Sequence, residues 1–116
     1  MGKKILIVEK NLIKAMSLEK VFIKLGATSI GIATDYFTSM VLIKDSTPDI
    51  VFVNPNLTLE SEGLDVAHEI SQIISCKFYF FKSKMVKELS YKNLLSVPFQ
   101  LVDETSMSEL GSTLSG

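Results

Sequence analysis

Ile50-Val51-Phe52-Val53 constrains this chain more than any other stretch. The run consists of β-branched and aromatic residues, is too short for a helix, and lacks the polar alternation of a half-exposed strand. It predicts a central strand buried on both faces. Asn54-Pro55 stops the run, because proline has no backbone N–H and turns the residue before it away from helical geometry. Asn54 is therefore expected at the carboxyl end of a buried strand, where open α/β sheets place their ligand crevice.

The flanking sequence supplies partners for such a strand. Ile5-Leu6-Ile7-Val8 is a second short apolar run, ended by Glu9-Lys10 and by Asn11, a good helix N-cap. Residues 12–25 carry an amphipathic helical pattern stopped by Gly26, which suits the position just past a helix. Thr28–Ala33 alternates small and apolar residues and reads as a strand at a sheet edge. Thr34-Asp35 can cap a helix to about Lys44, offering Phe37, Met40, Val41 and Leu42 to the core, before Ser46-Thr47-Pro48 breaks it. After a polar loop, Gly63 opens a helix running to about Ile74, with Leu64, Val66, Ala67, Ile70, Ile73 and Ile74 apolar. Lys77-Phe78-Tyr79-Phe80-Phe81-Lys82 reads as an aromatic-rich strand. A short helix over 83–89, a strand over 93–97 ended by Pro98, and a last helix between 101 and 114 complete the pattern, with Ser106 and Glu109 spaced as a capping box. Strand and helix alternate throughout, which favours parallel pairing and a three-layer α/β/α sandwich.

A length of 116 residues suits one domain spanning 1–116 rather than two, and a hydrophobic fraction of 47% is ample for its core. Twelve basic against 13 acidic residues leave a net charge of −1, too little to draw nucleic acid or an anionic membrane. No apolar run approaches the roughly 20 residues of a membrane span. Cys76 is the single cysteine and cannot form an internal disulfide, and the start shows no signal-peptide core; a cytoplasmic location is expected. His68 stands apart from any metal-ligand spacing and reads as an ordinary helix residue. Cys76 reads as a small packing residue rather than a nucleophile. Phe78, Tyr79, Phe80 and Phe81 invite comparison with a base-stacking platform, but in the fourth strand of a parallel sheet they read as core. There is no glycine-rich phosphate loop and no serine elbow.

Several segments in order resemble the receiver domain of two-component response regulators. Lys4-Ile5-Leu6-Ile7-Val8-Glu9-Lys10-Asn11 is similar to that family's first strand and acidic turn, and Leu25-Gly26-Ala27 to the end of its first helix. Pro48-Asp49-Ile50-Val51-Phe52-Val53-Asn54 is similar to the strand carrying the phosphoacceptor, Glu62-Gly63-Leu64-Asp65 to the turn beyond it, and Val97-Pro98-Phe99 to a late Lys-Pro-Phe. The resemblance covers nearly the whole chain. It implies a flavodoxin-like, five-stranded parallel sheet of strand order 2-1-3-4-5, and a cis bond at Pro98.

The same resemblance implies a site whose chemistry this sequence has altered. In a working receiver an aspartate stands where this chain has Asn54, two acids of the first turn help hold Mg²⁺, and a lysine precedes the late proline. A carboxylate serves there as nucleophile, hard oxygens hold the metal, and a cation offsets phosphoryl charge. Here Asn54, Lys10 and Val97 replace acceptor, acid and lysine, and Lys82, followed by Ser83, falls where the family has Thr or Ser. Glu9 alone remains of the metal-binding acids. The expectation is a pseudo-receiver that is no enzyme and holds neither metal nor cofactor. Lys10 or Lys82 either fills the vacated cation position near Glu9 and Asn54 or points into solvent.

What such a domain retains is surface. The family's partner face, made by its fourth helix, fifth strand and fifth helix, would here draw on Met85, Val86, Lys87, Leu89, Tyr91 and Lys92, with Met107 and Leu110 from the last helix. It would meet signalling proteins or a second copy of the chain. Two other readings stay open: an active phosphoacceptor carrying an Asp-to-Asn substitution, and a small-molecule sensor using the crevice above Asn54.

Overall fold

The structure, a computed structural model, describes residues 2–54, 62–81 and 99–102. Strands β1 (Lys4–Val8), β2 (Thr28–Ala33), β3 (Ile50–Val53), β4 (Lys77–Phe81) and β5 (Phe99–Val102) form one sheet in the order β2-β1-β3-β4-β5. Every pairing is parallel. Helices α1 (Leu12–Lys24), α2 (Tyr36–Asp45) and α3 (Glu62–Ile73) connect the first four strands. This is the flavodoxin-like sheet of strand order 2-1-3-4-5, with helices on both faces. Among the described residues no helix is long and apolar enough to cross a membrane.

Strand alternation divides the core in two. Leu6, Val8, Val51, Val53, Phe78 and Phe80 face Ile43 of α2 and Leu64, Val66, Ala67 and Ile70 of α3. Ile5, Ile7, Ile50, Phe52, Tyr79 and Phe81 face Ala15, Leu18 and Phe22 of α1. Successive side chains of a strand point to opposite faces, so a strand buried on both sides needs apolar residues without alternation. β3 meets that condition, with all four residues buried. The aromatic residues of β4 are core as expected; Phe52 meets Phe81 edge-on at 4.7 Å and Phe22 at 5.2 Å between ring centroids.

Local chemistry sets the helix ends. Asn11 Oδ1 accepts from the Lys14 N–H and caps α1, and Asp35 Oδ1 accepts from the Thr38 N–H and caps α2. At the far end of α1, Gly26 takes φ +93°, while its N–H donates to the Ile23 carbonyl and the Ala27 N–H to the Phe22 carbonyl. That pair of bonds satisfies the last carbonyls of the helix and needs a residue at ease in the left-handed region.

Two expectations are corrected. The fifth strand of the sheet is Phe99–Val102, following Pro98, whereas residues 93–97, where it was expected, lie outside the described residues. Proline can end a strand, but it costs little at the entrance to an edge strand, and here the Phe99 ring packs at 6.0 Å on Phe80. The last helix accordingly cannot begin at 101. On α2, Phe37 and Val41 do not join the core and are 75% and 46% exposed. The buried positions are Ser39 and Ile43, one turn apart, and the Ser39 hydroxyl donates to the Asp35 carbonyl at 2.8 Å. The hydroxyl is satisfied within its own helix, so burying Ser39 leaves no polar group unpaired there. The expected helices over 83–89 and beyond 102, and the Pro98 peptide bond, lie outside the described residues.

Where α2 meets β2 the register of β1 against β2 shifts by one residue, and Gly31 takes φ +142°. A Cβ at Gly31 would stand 3.1 Å from Leu42 Cδ1 and 3.2 Å from Cδ2. Gly31→Val is therefore expected to destabilise the fold by about 2 kcal/mol, combining backbone strain with overpacking. Urea denaturation of the variant against the parent chain would measure it.

Candidate functional site

The parallel register of β1 with β3 builds the site. Val8 pairs with Val53, so the next residues, Glu9 and Asn54, emerge side by side at the carboxyl edge of the sheet. Their backbones are tied into it: the Glu9 N–H donates to the Ala33 carbonyl and the Asn54 N–H to the Val8 carbonyl, each at 2.9 Å. On β4, Val53 pairs with Phe80, which brings Phe81 to the same edge. By alternation Glu9, Asn54 and Phe81 all lie on the α1 side of the sheet.

Glu9 is the centre of the arrangement. It is only 2% exposed, yet it is an acid. A buried carboxylate needs both hydrogen bonds and a counter-charge. The Asn54 amide nitrogen donates to both Glu9 oxygens, at 3.0 Å to Oε1 and 3.2 Å to Oε2. This orientation is the one chemistry demands, since the amide oxygen turned toward a carboxylate would set acceptor against acceptor. The backbone N–H of Asn11 adds a bond to Oε2 at 3.2 Å. The counter-charge is Lys14, whose Nζ lies 3.7 Å from Oε1 and 5.2 Å from the centre of the Phe81 ring.

The structure thus answers part of the question left open by the sequence. Lys10 is exposed, and no ion pair or hydrogen bond joins it to Glu9 or Asn54 among the described residues. The first turn of α1 brings Lys14 in instead. In the sequence Lys14 is one of the polar residues of the amphipathic stretch 12–25. One signal could have singled it out. It is the third residue of α1, in a first turn with no acidic residue, where the helix dipole disfavours a cation by about 0.3–1 kcal/mol. A lysine placed there suggests a local anion, and Glu9 is five residues back.

Lys82, Ser83 and Val97 lie outside the described residues, as do Met85, Val86, Lys87, Leu89, Tyr91, Lys92, Met107 and Leu110. The observed β5 nevertheless weakens one correspondence. The carboxyl end of that strand is Val102, so a match of Val97 to the family's lysine rests on the neighbouring Pro98-Phe99 alone. His68 lies half-buried on α3, and Cys76 is half-buried beside the α3 face of the core. Burial pushes the Cys76 thiol up to about 12.

Whether the residues present fit the divalent ion that the fold suggests follows from the same contacts. Mg²⁺ is a hard ion bound through carboxylate and other oxygens in near-octahedral array. The described residues at the sheet edge bring one carboxylate, both of whose oxygens already accept from an amide, with an ammonium beside one of them. That set does not fit a divalent ion.

No family model matches the sequence, and no curated protein does. Solved structures share the fold. The response regulator PhyR from Brucella abortus superposes with a TM-score of 0.80 at 22% identity, over 99% of this chain and 47% of that one. A receiver domain of a Pseudomonas aeruginosa sensor histidine kinase, with a magnesium ion coordinated in its active-site cleft, gives 0.78 at 16% identity over 99% of this chain and 96% of that one. The anti-anti-sigma factor PhyR from Bartonella quintana, complexed with the anti-sigma factor NepR, gives 0.64 at 23% identity over 67% of this chain and 32% of that one. This chain spans about half the length of the first of these proteins. The fold is that of response-regulator receiver domains.

Two outcomes are expected at this site. Glu9→Ala and Asn54→Ala should each destabilise the chain, and the double variant should lose about 1–2 kcal/mol less than the sum, as contacting groups do; a double-mutant cycle by chemical denaturation reads this. Cys76 in the folded chain should react with iodoacetamide at about pH 8 on the order of a hundredfold more slowly than a free cysteine, because little thiolate is present. Mass spectrometry of timed samples would follow it.

Proposed function

We propose that this chain is a receiver-type module of two-component signalling that works through protein contact and takes no phosphoryl group at residue 54. The observation that carries the reading is the bond from the Asn54 amide to both oxygens of Glu9. An amide nitrogen has no free lone pair for attack on phosphorus, and this one is engaged as a donor. The residues that stand at the receiver's nucleophile and metal-ligand positions are thereby bonded to each other. The module is no enzyme and uses no cofactor.

Switching in such a module comes from partners that favour one conformation over another, since a ligand shifts an equilibrium only by its differential affinity. The partner face is the one drawn from Met85, Val86, Lys87, Leu89, Tyr91, Lys92, Met107 and Leu110, where methionine and tyrosine offer adaptable and amphipathic contact. The PhyR that shares this fold is found with an anti-sigma factor. A regulatory protein of that kind is the partner class the reading favours, with a second copy of the chain as the other candidate. Neither nucleic acid nor membrane is a partner of this domain.

Incubation of the chain with Mg²⁺ and acetyl phosphate, followed by intact-mass spectrometry, tests the reading. No phosphoryl adduct is expected. An adduct that forms in the parent chain and disappears on Asn54→Ala would overturn it.

A further inference from the structure

We propose that Lys14 is the resident cation of this pocket: its ammonium, held between the Glu9 carboxylate and the Phe81 ring, blocks a divalent ion there independently of Asn54. Restoring an aspartate at 54 would then not by itself restore a metal site.

Charge accounting leads to this assignment. The bonds from Asn54 and Asn11 to Glu9 supply dipoles, which solvate a carboxylate without neutralising it. Among the described residues the only ion pair to Glu9 is with Lys14, at 3.7 Å. Lys14 has a second reason to stay, because a cation over an aromatic face is attracted by the ring quadrupole, and Phe81 lies within range at 5.2 Å. Its backbone position argues against a merely local role. The first turn of a helix disfavours a cation, so a lysine there gains nothing from α1 itself. The gain comes from the sheet edge, and the alternation of β1, β3 and β4 gathers Glu9, Asn54 and Phe81 on the side that α1 covers.

A divalent ion seated on Glu9 would stand within a few Å of that ammonium. Like charges so close repel, and less water lies between them in a half-buried site than at an open surface. In an Asn54→Asp variant the new carboxylate would meet Lys14 as a ready partner, making a three-group ionic cluster that competes with the metal. This inference concerns the cation alone and stands apart from whether the parent chain can be phosphorylated.

The test compares Mn²⁺ binding by Asn54→Asp with that of Asn54→Asp/Lys14→Met and Asn54→Asp/Lys14→Arg. Methionine keeps a flexible, ring-compatible stem and removes the charge; arginine keeps the charge. Calorimetry gives the affinity, and paramagnetic broadening of the Glu9 and residue 54 amide signals in NMR spectra gives the place. The Met variant should bind at least about tenfold more tightly than Asn54→Asp alone, with the Arg variant as weak as the latter. Equal affinities in all three, tighter binding with Arg as well as Met, or no binding by any of them would overturn the proposal. NMR dispersion shows whether each variant is folded, and Lys14→Gln replaces Lys14→Met if that chain is not.

Discussion

The parallel register of β1 on β3 is the constraint from which the rest follows. It levels Val8 with Val53, so that the first residues past the two strands stand next to each other with side chains on one face. A shift of one residue in either strand would send Glu9 or Asn54 to the opposite face, since side-chain direction alternates at every step. That register is held firmly because both strands are buried on both sides, and slippage would break two cores at once.

At the edge so formed, electrostatics decides what the site can be. A carboxylate almost removed from water is tolerated only where its neighbours replace the lost hydration. Glu9 has an amide on both oxygens, a backbone N–H on one and an ammonium nearby. Each of these groups also belongs to a structural element: Asn54 to the end of β3, Asn11 to the cap of α1, Lys14 to its first turn. The pocket is therefore both a polar site and the joint that seats α1 against the sheet. Asn11 serves twice, as its side chain caps the helix while its own N–H reaches Glu9.

Much of the frame is legible in the sequence. Ile50–Val53 could only be an interior strand, Asn11 and Asp35 announced helix starts, and Gly26 announced a helix end. Each is a local statement about a few residues, and each holds. Failures arose where the answer depended on residues distant in the chain. Phe37 and Val41 are apolar enough for a core, yet the face that α2 turns inward carries Ser39 and Ile43, with Leu42 against Gly31. Pro98 could end one strand or introduce another, and Phe99 settles it by packing on Phe80 of the neighbouring strand.

Composition and periodicity, read along the chain, were enough for the class of fold and for the absence of an aspartate at residue 54, because hydrophobic spacing and residue identity are properties of a linear string. Which cation answers Glu9 was decided only in three dimensions. Lys10 is adjacent to Glu9 in sequence and is exposed without a bond to it, whereas Lys14 is a full helical turn further and arrives beside it, because α1 packs on the face of the sheet that Glu9 shares. Proximity along the chain says little about the direction of a side chain; the turn between a strand and its helix sets that direction.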